Sequence, residues 1–282
     1  MNILITGRSG FIARHLIDAI QNSGNCVIGS YNASDAFCGN GKIDAVIHLA
    51  AQAGIRPEQQ KAIPQYEANV MQTISFLDLS IKYNVKKFIF ISSSSVYGTP
   101  EHTPVSEDDV TDRPLCHYAA TKKAGELACH TYHYLYGLDV AVLRPFTVYG
   151  PGQTSRMAIP TFTHLIDKGQ EVIVYGNGSI KRDYVYVKDV ADGIIKALDV
   201  SHGYSEYNIG SGMPLSTIDL IKTIEDKLGK KARIKFIPLP EGEAQDNYSN
   251  INKAKSKFGY SPKFPFDEGI SNYINWYRKE GR

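Results

Sequence analysis

Asn2-Ile3-Leu4-Ile5-Thr6-Gly7-Arg8-Ser9-Gly10-Phe11-Ile12-Ala13 decides the fold. An apolar run of strand length passes, through two glycines, into a stretch with helical spacing over Phe11 to Gln21 that stops at Asn22-Ser23-Gly24. Gly7 and Gly10 let the backbone turn tightly, and the free N–H groups of the first helical turn then face whatever anion lies above it. Ala13 is small enough for the helix to pack closely on the strand. A pyrophosphate suits this geometry, although the same spacing also serves as an ordinary strand-to-helix turn.

Cys26 to Tyr31, Asp44 to Ala50, Lys87 to Ser92 and Val140 to Arg144 read as further strands, and Tyr66 to Tyr83 and His117 to Tyr136 as helices. Strands alternating with helices predict an α/β fold, a Rossmann-like doubly wound parallel sheet whose ligands sit beyond the C-terminal strand ends. After Gly150 the loops are rich in Gly and Pro. Asp183 to Val187 and Arg233 to Ile237 read there as strands, and Val190 to Leu198, about Ser216 to Leu228, and Phe266 to Lys279 as helices. The pattern predicts a dinucleotide-binding domain over residues 1–150, with a later contribution from about 180–210, and a small C-terminal α/β substrate lobe over 151–282.

The chain has 282 residues, 43% of them hydrophobic, and 31 Lys and Arg against 29 Asp and Glu. That composition is too apolar for disorder, and without a basic run it predicts neither a nucleic-acid nor a membrane partner. Cys26, Cys38, Cys116 and Cys129 lack the spacing of a disulfide scaffold or a zinc site, so reduced thiols, no metal and a cytoplasmic location are expected. The N-terminal residues have neither the basic lead nor the long apolar run of an export signal.

Tyr118-Ala119-Ala120-Thr121-Lys122 puts a phenol and an ammonium on one helix face, where the ammonium is expected to lower the phenol's proton affinity. Such a tyrosine can give a proton to a carbonyl oxygen as hydride reaches carbon, or take it back. Ser92-Ser93-Ser94-Ser95-Val96-Tyr97-Gly98 closes the preceding strand, so hydroxyls face the same cleft. Each motif alone has a plain structural reading, a solvated helix face for the first and a serine-rich turn for the second.

Together with HLAAQAG (48–54), LRPFTVYGPG (143–152) and RDYVYVKDVADG (182–193), these motifs resemble, in order and spacing, the extended short-chain dehydrogenase/reductase family. That family holds nucleotide-sugar epimerases, dehydratases and reductases, and the resemblance covers nearly the whole chain. It implies Tyr118 as the acid and base, Lys122 as its support and the holder of the nicotinamide ribose, and Ser93 as the hydroxyl that completes the catalytic triad. It further implies cofactor contacts from Gly7, Arg8, Gly10, Phe11 and Ile12, from Tyr31 and Asn32, from Leu49, Ala50 and Ala51, and from Asn69 and Pro145. Substrate contacts are implied for Gln52, Arg56, Ser94, Thr147 and Arg182. A nicotinamide cofactor, a nucleoside-diphosphate sugar and a homodimer come with it.

Residues 51–56, 121–138 and 146–151 are most similar to UDP-uronate 4-epimerases. Dehydratases of the family carry an Asp-Glu pair where this chain has Ser94 and Ser95, which argues against dehydration. Three departures bear on the rest. Tyr31 stands where NAD-using members end the second strand with an acid, so Arg8 becomes a candidate for a 2′-phosphate. The segment between Tyr31 and Asp44 is short and leaves no room for the family's additional strand and helix. Thr147 replaces a common asparagine, and Glu241 to Asp246 lacks a common arginine. A weaker hold on adenine suits an exchangeable cofactor, so the expectation is an NADP(H)-preferring 4-keto sugar reductase. The alternatives are an NAD(H)-dependent 4-epimerase and a non-catalytic nucleotide-binding protein of the same fold.

Overall fold

Ile3 and Ile5 face one side of a sheet and Leu4 the other, and all three are fully buried. The same division recurs in each inner strand, with Ile47, Ile89 and Leu143 on the first side and Val46, Phe88 and Val142 on the second. Apolar residues at every position of a strand, with side chains alternating between faces, require cover on both sides.

The computed structural model describes residues 1–30, 37, 41–54, 61–153, 157–239 and 246–280. In chain order it contains β1 (Asn2–Thr6), α1 (Phe11–Asn22), β2 (Cys26–Ser30), β3 (Ala45–His48), α2 (Ala62–Tyr66), a π-helical turn (Glu67–Met71), α3 (Gln72–Lys82) and β4 (Lys87–Ile91). A 3-10 turn (Ser94–Tyr97), α4 (His117–Tyr136), β5 (Asp139–Pro145), β6 (Thr147–Tyr149), α5 (Ala158–Asp167), β7 (Glu171–Tyr175), β8 (Lys181–Tyr186) and α6 (Val187–Leu198) follow. The chain continues through β9 (Tyr204–Ile209), β10 (Pro214–Ser216), α7 (Thr217–Leu228), β11 (Arg233–Ile237), α8 (Asn252–Phe258) and α9 (Phe266–Glu280).

The main sheet is entirely parallel, in the order β2-β1-β3-β4-β5-β9. Residues of α1 and α6 pack on the face of Ile3 and Ile5, and residues of α3 and α4 on the face of Leu4. This is the predicted Rossmann-like doubly wound α/β architecture. A separate core of Tyr149, Val172, Tyr184, Leu220, Ile270 and Tyr273 joins the smaller sheets, β10-β8-β6 and β11-β7, to α5, α7 and α9.

Three features differ from the pattern read in the sequence. The helix expected over Tyr66 to Tyr83 is broken by the π turn, which seats the buried Asn69 where its amide reaches Gln52. β9 is not among the strands read from the sequence, because Tyr204-Ser205-Glu206-Tyr207-Asn208-Ile209 has no continuous apolar run, yet it forms the edge of the main sheet beside β5. α5 lies in the Gly- and Pro-rich stretch, where its amphipathic spacing is brief. Tyr31, Asn32 and Arg56 lie outside the described residues, as does most of the short segment before Asp44.

Candidate active site

β2 and β3 lie on opposite sides of β1, so the direction of chain progression reverses there and a crevice opens above β1 and β3. Gly7 takes φ +68°, and a Cβ on it would stand 2.9 Å from the Ala50 backbone nitrogen. The turn after β1 is therefore pressed against the end of β3, beside Leu49. Gly10 N donates to Gly7 O at 2.8 Å, and a Cβ on Gly10 would come within 3.0 Å of that oxygen. Gly10 caps α1 with no side-chain bond, and the first turn carries no acid. The N–H groups of Phe11, Ile12 and Ala13 precede the first intrahelical bond, from Arg14 N to Gly10 O. A tight, uncharged cradle ending on a helix N-terminus fits a dinucleotide pyrophosphate. Arg8 is exposed beside it, and Ala51 is exposed at the far wall.

A buried chain of hydrogen bonds holds that wall. Ala50 N donates to Thr6 Oγ1 at 3.0 Å, Thr6 Oγ1 is 2.9 Å from His48 Nδ1, His48 Nε2 is 3.0 Å from Thr73 Oγ1, and Thr73 Oγ1 donates to Asn69 O at 2.6 Å. Because the Thr73 hydrogen is committed to a carbonyl, His48 must donate from Nε2 and accept the Thr6 hydrogen at Nδ1. Burial pushes the His48 imidazole down to about 3, so it is neutral. Asn69 spends its whole amide on the protein: Oδ1 accepts from Gln52 N at 2.7 Å, and Nδ2 donates to Gln52 O at 3.1 Å and to Thr121 Oγ1 at 2.9 Å. Thr121 Oγ1 donates to Tyr118 O at 2.8 Å. Asn69 thus fixes Gln52 and the helix of Tyr118 in one frame.

Ser93, Tyr118 and Lys122 come together at the C-terminal end of β4. Ser93 Oγ accepts from Ser95 N at 3.2 Å and from Ser95 Oγ at 2.9 Å, which leaves its own hydrogen for the Tyr118 phenolic oxygen. Lys122 Nζ donates to Ile91 O at 2.7 Å and lies 6.0 Å from the centre of the Tyr118 ring. Burial pushes the Tyr118 phenol up to about 12, against the lowering effect of the Ser93 hydrogen bond. The net lowering expected from Lys122 is therefore not found: Lys122 is 2% exposed, and burial pushes its own ammonium down to about 8. Spacing points to Tyr118 and Lys122 and the family resemblance adds Ser93, but neither gives a sign of the roles of Ser95 and Thr121, which depend on tertiary placement.

Pro145 is buried at the end of β5, opposite Ile209. Ser94 opens the 3-10 turn and is half-buried. Thr147 pairs with Tyr184 in the three-stranded sheet, where Arg182 occupies the neighbouring strand β8. Arg182 Nη1 donates to Lys181 O at 3.0 Å. Its sequence neighbour Asp183 is fully buried, accepting from Ser211 N and Oγ, Gly212 N, and Ser249 N and Oγ. Asp183 is therefore a structural knot rather than a surface ion partner of Arg182. Among the described residues no group of three His, Cys, Asp or Glu is gathered to hold a metal, and no helix is long and apolar enough to cross a membrane.

Comparison with known proteins agrees with this geometry. The chain is 33% identical to UDP-glucuronate 4-epimerase of Thermodesulfobacterium geofontis over 97% of its own length and 95% of that protein's. The structure of UDP-glucuronic acid 4-epimerase from Bacillus cereus, in complex with UDP-glucuronic acid and NAD, is similar with a TM-score of 0.88 and 31% identity over 99% of each chain. MoeE5 in complex with UDP-glucuronic acid and NAD is similar with a TM-score of 0.89 and 30% identity, again over 99% of each chain. The match to CapI of Staphylococcus aureus, 32% identical over 98% of each chain, runs over 328 positions, so that relative carries residues this chain of 282 lacks. Residues 3–210 match the NAD dependent epimerase/dehydratase family, and the chain is a member of it, an enzyme of the extended short-chain dehydrogenase/reductase type acting on nucleotide sugars.

Proposed function

We propose that the chain is an NAD-dependent 4-epimerase of a UDP-sugar, with UDP-glucuronate and UDP-glucose as the first substrates to test. The observation that carries this reading is the hydrogen-bonded Ser93 and Tyr118 beside Lys122, at the mouth of the glycine crevice, with Ser94 and Ser95 in place of a dehydratase's acids. The resemblance to two 4-epimerases along nearly the full chain supports it. The expectation of an NADP(H) reductase rests on the short segment between Tyr31 and Asp44, a feature of the adenine end that does not alter the catalytic trio.

The residues present suit the cofactor. Gly7, Gly10 and the first turn of α1 would hold its pyrophosphate, and Lys122 would reach its nicotinamide ribose. Bound NAD supplies a hydride acceptor that becomes the donor in the return step. Tyr118, as the phenolate, would take the proton of the sugar C4 hydroxyl as C4 is oxidised and return it when the opposite face is reduced, the Ser93 hydrogen bond and the nearby Lys122 ammonium favouring that charged form against the burial that opposes it. Ser93 donates to the phenolic oxygen and steadies it while it carries negative charge. The apolar outer face of α2, the π turn and α4 supports a homodimer.

The test is to incubate purified protein with UDP-glucuronate and with UDP-glucose and follow the C4 epimers by NMR, after identifying any cofactor released on denaturation. Interconversion with tightly held NAD is expected. No epimer from either sugar, together with NADPH consumption on a 4-keto sugar, would restore the reductase reading.

A further inference from the structure

Two side chains of the segment that carries Ser93 end on the same buried ion pair. Ser92 Oγ donates to Glu126 Oε1 at 2.6 Å, and Arg144 Nη1 donates to the Tyr97 hydroxyl at 3.0 Å. Glu126 and Arg144 are 0% and 1% exposed. They are joined by two parallel bonds, Nε to Oε1 at 2.9 Å and Nη2 to Oε2 at 2.8 Å. Further bonds surround the pair: Lys123 Nζ donates to Glu126 Oε2 at 3.3 Å, Arg144 Nη1 to Glu107 O at 3.3 Å, and the Tyr97 hydroxyl to Asn208 Oδ1 at 2.7 Å. A guanidinium and a carboxylate meeting as two forks have one relative orientation, which a Lys or a lone charge would not impose.

Placement gives the pair its meaning. Glu126 lies one helical turn past Lys122 and two past Tyr118 on the buried face of α4, so it moves with the acid and base. Arg144 is on β5, where Leu143 O accepts from Ser92 N at 2.7 Å. The residues on either side of Ser93, Ser92 and the Ser94–Tyr97 turn, are thereby tied to α4 through one rigid unit. Taking two charges out of water is costly before they pair, and well-packed apolar side chains of like volume often fill such a space as stably. A fork-to-fork pair at this point is better explained by geometry than by stability.

We propose that Glu126 and Arg144 are positioning residues that act through Ser92 and Tyr97 to fix the Ser93 hydroxyl against the Tyr118 phenol. The inference rests on the proton-transfer roles given above to Ser93 and Tyr118. Removing Glu126 or Arg144 outright leaves a buried charge without its partner and is expected to prevent folding. Ser92→Ala and Tyr97→Phe each delete one bond to the pair and leave the two forks joined.

The experiment compares kcat, KM and melting temperature for Ser92→Ala, Tyr97→Phe, Ser93→Ala and the double variant Ser92→Ala/Ser93→Ala, using UDP-glucuronate. Ser92→Ala and Tyr97→Phe are expected to lower kcat about tenfold with KM nearly unchanged, and Ser92→Ala to cost less than about twofold once Ser93 is already Ala. Unchanged kcat in both single variants would overturn the proposal, and so would a Ser92→Ala loss that multiplies in full on the Ser93→Ala background, because a merely structural residue does not act through Ser93. If Ser93→Ala and Tyr118→Phe themselves leave turnover intact, the proton-transfer reading fails and takes the proposal with it.

Discussion

Lys122 sits almost fully buried with its ammonium on the Ile91 carbonyl, and burial pushes it down to about 8 from an ordinary 10.5. Between those values the unfolded chain binds a proton that the folded chain does not, so stability rises with pH across that window. Below about 8 the cost of the buried charge is present in full, on the order of a few kcal/mol. Lys122→Met is therefore expected to raise the melting temperature of cofactor-free protein at pH 7 by a few degrees, to flatten its rise between pH 8 and 10.5, and to abolish turnover. A lower melting temperature, measured by calorimetry, would show that the ammonium stabilises the fold. The pairing of Tyr118 with Lys122 was legible because a four-residue spacing fixes a shared helix face. The direction of the Tyr118 shift was not, since it comes from burial by other elements, which outweighs the lowering hydrogen bond from Ser93.

At the scale of elements, α4 reaches the sheet through Gly125. A Cβ there would stand 2.4 Å from Phe90 Cζ, in a ring that is itself fully buried between β4 and the helix. Gly125→Ala must move the helix or the ring, and is expected to destabilise the protein by about 1–3 kcal/mol in urea unfolding, with a fall in kcat as Tyr118 shifts. Unchanged stability would mean that α4 has slack to spare. β1, β3, β4 and β5 could be read directly, because a strand buried on both faces needs apolar residues throughout. β9 could not, because its first three residues, Tyr204, Ser205 and Glu206, are only half-buried and its pairing partner β5 lies 64 residues earlier in the chain. The π turn was equally hidden, as its cause is the contact of Asn69 with Gln52 and Thr121 rather than any local propensity.

For the whole molecule, the outward faces of α2, the π turn and α4 leave Ile63 73%, Met71 58%, Leu127 59% and Tyr134 80% exposed. A depression of about 270 Å³ lined by Ile63, Tyr66, Val70 and Met71 lies among them. Apolar surface gathered in this way supports the proposed homodimer. Light scattering is expected to give twice the subunit mass of 31.3 kDa, and Leu127→Glu to return it toward one. A wild-type mass of one subunit would contradict the assembly. Within each subunit, the chain of bonds through His48 spans β1, β3, α3 and the π turn, beginning at the amide N–H of Ala50 and ending at the carbonyl of Asn69. Neither end can release or accept a proton at ordinary pH, and the imidazole between them stays neutral. The polar interior beside the crevice is thus an insulator and not a conductor, and under the proposed mechanism it offers no route away for a proton that Tyr118 has taken from the sugar.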